Sequence, residues 1–144
     1  MGKVEPESPD KWVDAVYKIN KLTKENTIKW AIGDKNKIPL SDDEYITALF
    51  ETKYKKKKLR LLEKKYKQYK NDPFSSGSLP FLFRQHIVRK EYWEDSSFLE
   101  IIDDSGMSLW TFPVPTRVVS DLIESVKYQI ASPSDFLDDL FEED

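Results

Sequence analysis

Cysteine is absent from the 144 residues, and histidine occurs once, at position 86. The first absence removes disulfides, thiolate catalysis and Cys-ligated metals together. The second leaves a lone imidazole, too few for a His-rich zinc site, and His86 reads as a loop or edge-strand side chain. Glycine is scarce, with four residues, and none falls in the GxxxxGK[ST] or GxGxxG patterns whose backbone N–H groups cradle phosphate. There is no nucleophile-elbow sequence to support a Ser-His-Asp hydrolase. No stretch approaches the ~20 apolar residues of a membrane-spanning helix. The opening MGKVEPESPDKW lacks the apolar run of a secretion signal, and Pro6 stands where a myristoylation pattern needs Ser or Thr. The expectation is a cytoplasmic, non-enzymatic protein that carries no metal or cofactor and engages no membrane.

Present instead are four Trp, seven Tyr and eight Phe, large burial units that argue against disorder. A single domain of this length can bury roughly 70% of its unfolded surface. Net charge is −3, unevenly spread. YKKKKLRLLEKKYKQYK, residues 54–70, holds nine basic side chains and one acid, Glu63, for a local charge of +8, leaving −11 on the remainder. After Lys127 there is no basic residue, and SPSDFLDDLFEED carries six acids. This asymmetry is the strongest electrostatic feature of the chain.

Ser8-Pro9-Asp10 starts a helix with an N-cap hydroxyl, a first-turn proline and an acid. Trp12, Ala15, Val16, Ile19 and Leu22 then form one apolar stripe. TIKWAI (27–32) alternates as a half-buried strand with Ile28, Trp30 and Ile32 inward. YITALFETKY (45–54) is a second strand, with Ile46, Ala48, Phe50 and Tyr54 on one face. The basic segment fits either a helix (Leu59, Leu62, Tyr66, Tyr69) or a strand with a bulge at Leu62; the strand is preferred because 45–54 needs a partner, with Lys55–Lys58 as the hairpin connection. NDPFSSGSLP (71–80) is a loop, and FLFRQHIVRKEYWED has no assignable type. Strand 97–103, a turn at Asp104-Ser105-Gly106 and strand Met107–Phe112 make a hairpin closed by Pro113 and Pro115. A second amphipathic helix carries Val119, Leu122, Ile123, Val126 and Ile130, and Ser132-Pro133 ends it. The fold expected is α+β: an antiparallel sheet of about five hairpin-built strands, bracketed by the two helices. It comprises one domain over 8–131 and an acidic tail over 132–144. Its core should contain Val16, Ile19, Trp30, Phe50, Leu99, Ile101, Trp110, Leu122 and Val126.

The strings INKLTKENTIKWAI, FETKYKKKKLRL, FLEIIDDSGMSLWTFP and DLIESVKYQIASPSDFLDDLF together resemble the succession of segments in a recurring group of small bacterial proteins. The resemblance spans roughly residues 17–141. It departs at Lys55–Lys58, where a turn glycine is expected, and across 71–90. It implies a domain and brings no activity with it.

Two segments are candidates for contact with other molecules. The basic ribbon interleaves Tyr66 and Tyr69 with cations, as backbone neutralisation and base stacking on a nucleic acid would use: Lys55, Lys56, Lys57, Lys58, Arg60, Lys64, Lys65, Lys67 and Lys70. Its bland reading is an edge strand whose lysines prevent sheet-to-sheet aggregation. Lysine outnumbers arginine nine to one over 53–70, so any such binding is expected to be weak and indifferent to sequence. In the tail, Phe136, Leu137, Leu140 and Phe141 line one side of a short helix, while Asp135, Asp138, Asp139, Glu142 and Glu143 supply charge. So short a helix is marginal alone and needs a surface, of its own body or of a partner. The expected function is that of an accessory or regulatory protein-interaction module of a bacterium or its mobile elements. A weak nucleic-acid binder is the alternative, and self-association is left open. The tail acids are expected to mask part of Lys55–Lys70.

Overall fold

A computed structural model describes residues 9–71 and 89–142. Helix α1 (Pro9–Lys24) precedes strands β1 (Ala31–Ile32), β2 (Glu44–Tyr54), β3 (Lys57–Asn71), β4 (Arg89–Ile102) and β5 (Ser108–Thr111). Helices α2 (Thr116–Ala131) and α3 (Pro133–Phe141) follow. The five strands pair antiparallel in chain order, β1-β2-β3-β4-β5. This is the expected α+β architecture. Asn71, expected to begin the loop over 71–80, is the last residue of β3; the rest of that loop and His86 lie outside the described residues.

The basic segment is a strand because β3 lies between two long partners, with β2 on one side and β4 on the other. Two-stranded period places Leu59 and Leu61 on one face and Leu62 on the other. Leu61 stands opposite Phe50 and Leu99 in the register, and these three form the central row beneath the helices. Val16 of α1 and Val119, Leu122, Ile123 and Val126 of α2 close over that row. The stripes read along both helices are the faces that pack, and burial of such side chains supplies most of the helices' stability.

The expected bulge lies elsewhere. β3 runs regularly through Leu62, and the extra residue is Thr47 in β2, between the pairs Ile46–Lys64 and Ala48–Glu63. Thr47 Oγ1 donates to Glu63 Oε1 at 2.7 Å. The bulge reverses the alternation, so Ile46 leaves the face of Ala48 and Phe50 and joins Leu49 and Leu62 on the opposite side. Ile38 and Phe98 flank this second cluster. The chain after β1 approaches it so closely that a Cβ on Gly33 would lie 2.9 Å from Leu49 Cγ. Glycine is needed there for space.

Three further expectations change at the sheet edges. The strand over 27–32 contracts to two residues: Ile28 and Trp30 are buried as expected, but the Trp30 N–H bonds Gln129 Oε1 at 2.9 Å. Gln129 also donates to the carbonyls of Thr23 and Ile28, so an α2 side chain ties down the backbone entering β1. Ile32, expected inward, is 70% exposed on that edge strand. Trp110, expected in the core, is 49% exposed on β5, whose four residues all face solvent to a large degree. It leans on Trp12, ring centroids 5.7 Å apart, and Phe112 is the buried aromatic beside it. Ile19 and Ile101 pack at the margin of the core rather than inside it.

Candidate interaction surfaces

Strand alternation divides the basic ribbon. Lys65, Lys67 and Tyr69 lie on the helix-bearing face, and Lys58, Arg60, Lys64 and Tyr66 on the other. Lys55 and Lys56 form the β2–β3 turn, while Lys64 lies eight residues further along, about 26 Å at strand rise. The cations therefore make separate groups and not one strip.

Neighbouring strands also provide acids to match them. Lys64 is bonded to Glu44, Lys67 Nζ lies 2.8 Å from Glu91 Oε2, and Lys65 Nζ lies 3.8 Å from Asp95 Oδ1. The hydrogen bond from Lys64, with others from the Ser41 hydroxyl and N–H, lowers the Glu44 pKa to about 2. The bond to Glu91 raises the Lys67 pKa above its ordinary value. Tyr66 shares a 3.0 Å hydroxyl bond with Ser96. Arg60 is buried, its Nε 3.1 Å from Glu100 Oε1, and is turned inward rather than to a phosphate. Lys55, Lys56 and Lys57 are exposed, and Lys58 is half-buried.

One exposed aromatic group emerges that the sequence reading did not assemble. On the helix-bearing face Tyr45 and Trp93 meet edge to face at 5.3 Å, and Lys67 Nζ lies about 6 Å from both the Trp93 and Tyr69 rings. Trp93 sits in β4, in the stretch whose element type could not be assigned. The available signal was EYWED, whose acids complement KKYKQYK when the two are laid antiparallel.

The tail is a helix. Ser132 breaks α2 with a left-handed backbone (φ 48°, ψ 55°), and Pro133 opens α3 in its first turn, where no intrahelical N–H partner is required. Tyr128 and Ser134 hydroxyls meet across the break at 2.9 Å. Phe136, Leu137, Leu140 and Phe141 are 63, 52, 59 and 76% exposed, so the body of the described chain does not cover them. Asp135, Asp138, Asp139 and Glu142 are exposed as well. Lys64, Lys65 and Lys67 have their acids from β2 and β4, not from α3. Glu143 lies outside the described residues.

Asp103 is a turn residue. Its Oδ1 accepts from the Ser105 N–H and hydroxyl and from the Met107 N–H, which holds its pKa below the ordinary value and closes the β4–β5 hairpin around Gly106 at φ 91°. No helix among the described residues is long and apolar enough to cross a membrane. Comparison of the chain with protein-family models, with curated proteins and with solved structures finds no match in any of the three.

Proposed function

We propose that the protein is a non-enzymatic interaction module that lays α3 into a groove of another protein. The observation behind this is the exposure of four large apolar side chains on one side of a nine-residue helix, with acids along the other. Leaving such groups wet forgoes roughly 1.5–3 kcal/mol for each that a partner could bury. Spacing at 136, 137, 140 and 141 is that of an amphipathic helix bound in a groove. The acids call for a groove with an apolar floor and a basic rim. An accessory or regulatory role in a bacterium or its mobile elements, and a cytoplasmic setting consistent with a cysteine-free chain, belong to the same proposal.

Truncation after Ala131 tests it. The shortened chain should unfold with unchanged cooperativity, while affinity capture from the native cells after nuclease treatment should lose a protein that the intact chain retains. Phe136→Ala with Leu140→Ala should reproduce the loss. Capture that is equal with and without α3 would rule the reading out.

A second reading, weak sequence-indifferent nucleic-acid binding, draws support from Lys67 beside the Tyr69 and Trp93 rings. The acids paired with Lys64, Lys65 and Lys67 oppose it, since each must be displaced or repelled when a phosphate approaches. A low-salt gel shift abolished by changing those three lysines to Glu would favour it; no shift at low salt would exclude it.

A further inference from the structure

Among the described residues, the outer edge of β4 carries no paired strand over its first half. Phe112 donates its N–H to the Leu99 carbonyl at 2.8 Å, so Leu99 directs its backbone groups toward β5. By antiparallel alternation Ser97, Asp95, Trp93 and Glu91 direct theirs the same way. β5 cannot follow them. Pro113 and Pro115 have no N–H to donate, and the Val114 N–H turns back to the Phe112 carbonyl at 2.9 Å. At Ser97, which is buried and shares a 3.1 Å hydroxyl bond with Ser120, α2 lies over the strand; beside residues 91–96 nothing among the described residues takes the place of β5. Among the described residues that leaves an unpaired edge about 17 Å long, room for five or six residues of an added strand.

Its chemistry selects the occupant. Glu91, Glu94 and Asp95 line the edge strand, with Lys65 and Lys67 set back on β3. Glu94 has no ion-pair partner among the described residues. Tyr92 and Trp93, on opposite faces, are 45 and 49% exposed. A strand added here meets the acids first, and cations on its side chains would extend the cross-strand order of lysine on β3 and acid on β4 by one further basic row. Arginine or lysine beside Trp93 or Tyr92 also gains a ring face. We infer that this edge takes an extended, basic peptide segment of a partner protein as a sixth strand, on a surface separate from α3 and independent of the reading given to it.

The experiment uses the full chain and a capped ten-residue peptide alternating lysine and valine, with an alternating glutamate–valine peptide as control, read by amide hydrogen exchange. In the free protein the Glu91, Trp93 and Asp95 amides should exchange rapidly. The lysine peptide should slow them roughly tenfold or more, and the glutamate peptide should not. Asp95→Pro removes an outward donor while sparing the β3–β4 ladder, so it should abolish the protection without lowering the unfolding midpoint appreciably. Glu94→Lys with Asp95→Lys, which keeps every backbone donor, should weaken it in the same sense. The inference is overturned if these amides are already protected in the free chain, or if the lysine peptide at millimolar concentration leaves them unchanged. It is likewise overturned if both variants bind as the parent does, or if protection rises with protein concentration alone, which would make a second copy the occupant.

Discussion

Arg60 and Glu100 face each other across β3 and β4 with Nε 3.1 Å from Oε1, both buried on the sheet face that carries no helix. Arg60 Nη1 also donates to the Gly106 carbonyl at 2.7 Å, tying the β4–β5 turn down over the pair. Removing one partner leaves a buried charge uncompensated. Glu100→Ala should cost about 3–5 kcal/mol in urea unfolding, while the double change Arg60→Met, Glu100→Leu should cost much less. Equal losses for the single and double variants would show that the pair matters through packing and not charge.

The β2–β3 turn places Lys55 at φ 46° and Lys56 at φ 70°, left-handed backbone at two consecutive non-glycine residues. A two-residue hairpin of this hand prefers Asn-Gly. Lys55→Asn with Lys56→Gly should raise stability by about 1 kcal/mol, seen as a higher urea midpoint at constant slope. Lys56→Pro, which forces negative φ, should lower it.

Glu44 has a pKa of about 2 in the folded chain, lowered from 4.5 first by the hydrogen bond from Lys64 and then by those from Ser41. A carboxylate depressed by folding favours the folded state while it is ionised. Its contribution is complete above about pH 4.5, declines as pH falls below that value, and is gone below about pH 2. Carboxyl NMR should place the Glu44 midpoint near 2, and Glu44→Gln should flatten the stability profile between those limits. A midpoint close to 4 would mean that the bond to Lys64 is not held in solution.

Trp30 is buried, with its indole N–H bonded to Thr23 Oγ1 at 3.0 Å, whereas Trp110 is half exposed against Trp12. Trp30→Ala should cost about 3–5 kcal/mol. Trp110→Ala should cost only about 1–2 kcal/mol, most of it through Trp12. A double-mutant cycle on Trp12 and Trp110 should return a coupling of roughly 0.5–1.5 kcal/mol.

The division between what could be read along the chain and what could not follows from the range of the forces involved. Both helix stripes, the hairpin around Gly106, the stop at Ser132-Pro133 and the amphipathic character of residues 133–141 depend on side-chain period and on turn chemistry within a few residues, so the sequence by itself determined them. The strand nature of 58–70 was legible only because 45–54 lacked another partner, and the strand runs one residue beyond that span at each end, into the expected connection and the expected loop. Tertiary structure decided the rest. A single inserted residue, Thr47, reversed the facing of Ile46, and no local pattern marks which strand of a pair will carry the bulge. Placement at an edge exposed Ile32 and Trp110, whose alternation is that of core residues. The fate of the basic ribbon was decided in the same way. Its +8 is plain in the sequence, but ion pairs form at distances of a few ångströms, and only the folding of Glu44, Glu91, Asp95 and Glu100 alongside Lys64, Lys67, Lys65 and Arg60 offsets part of that charge.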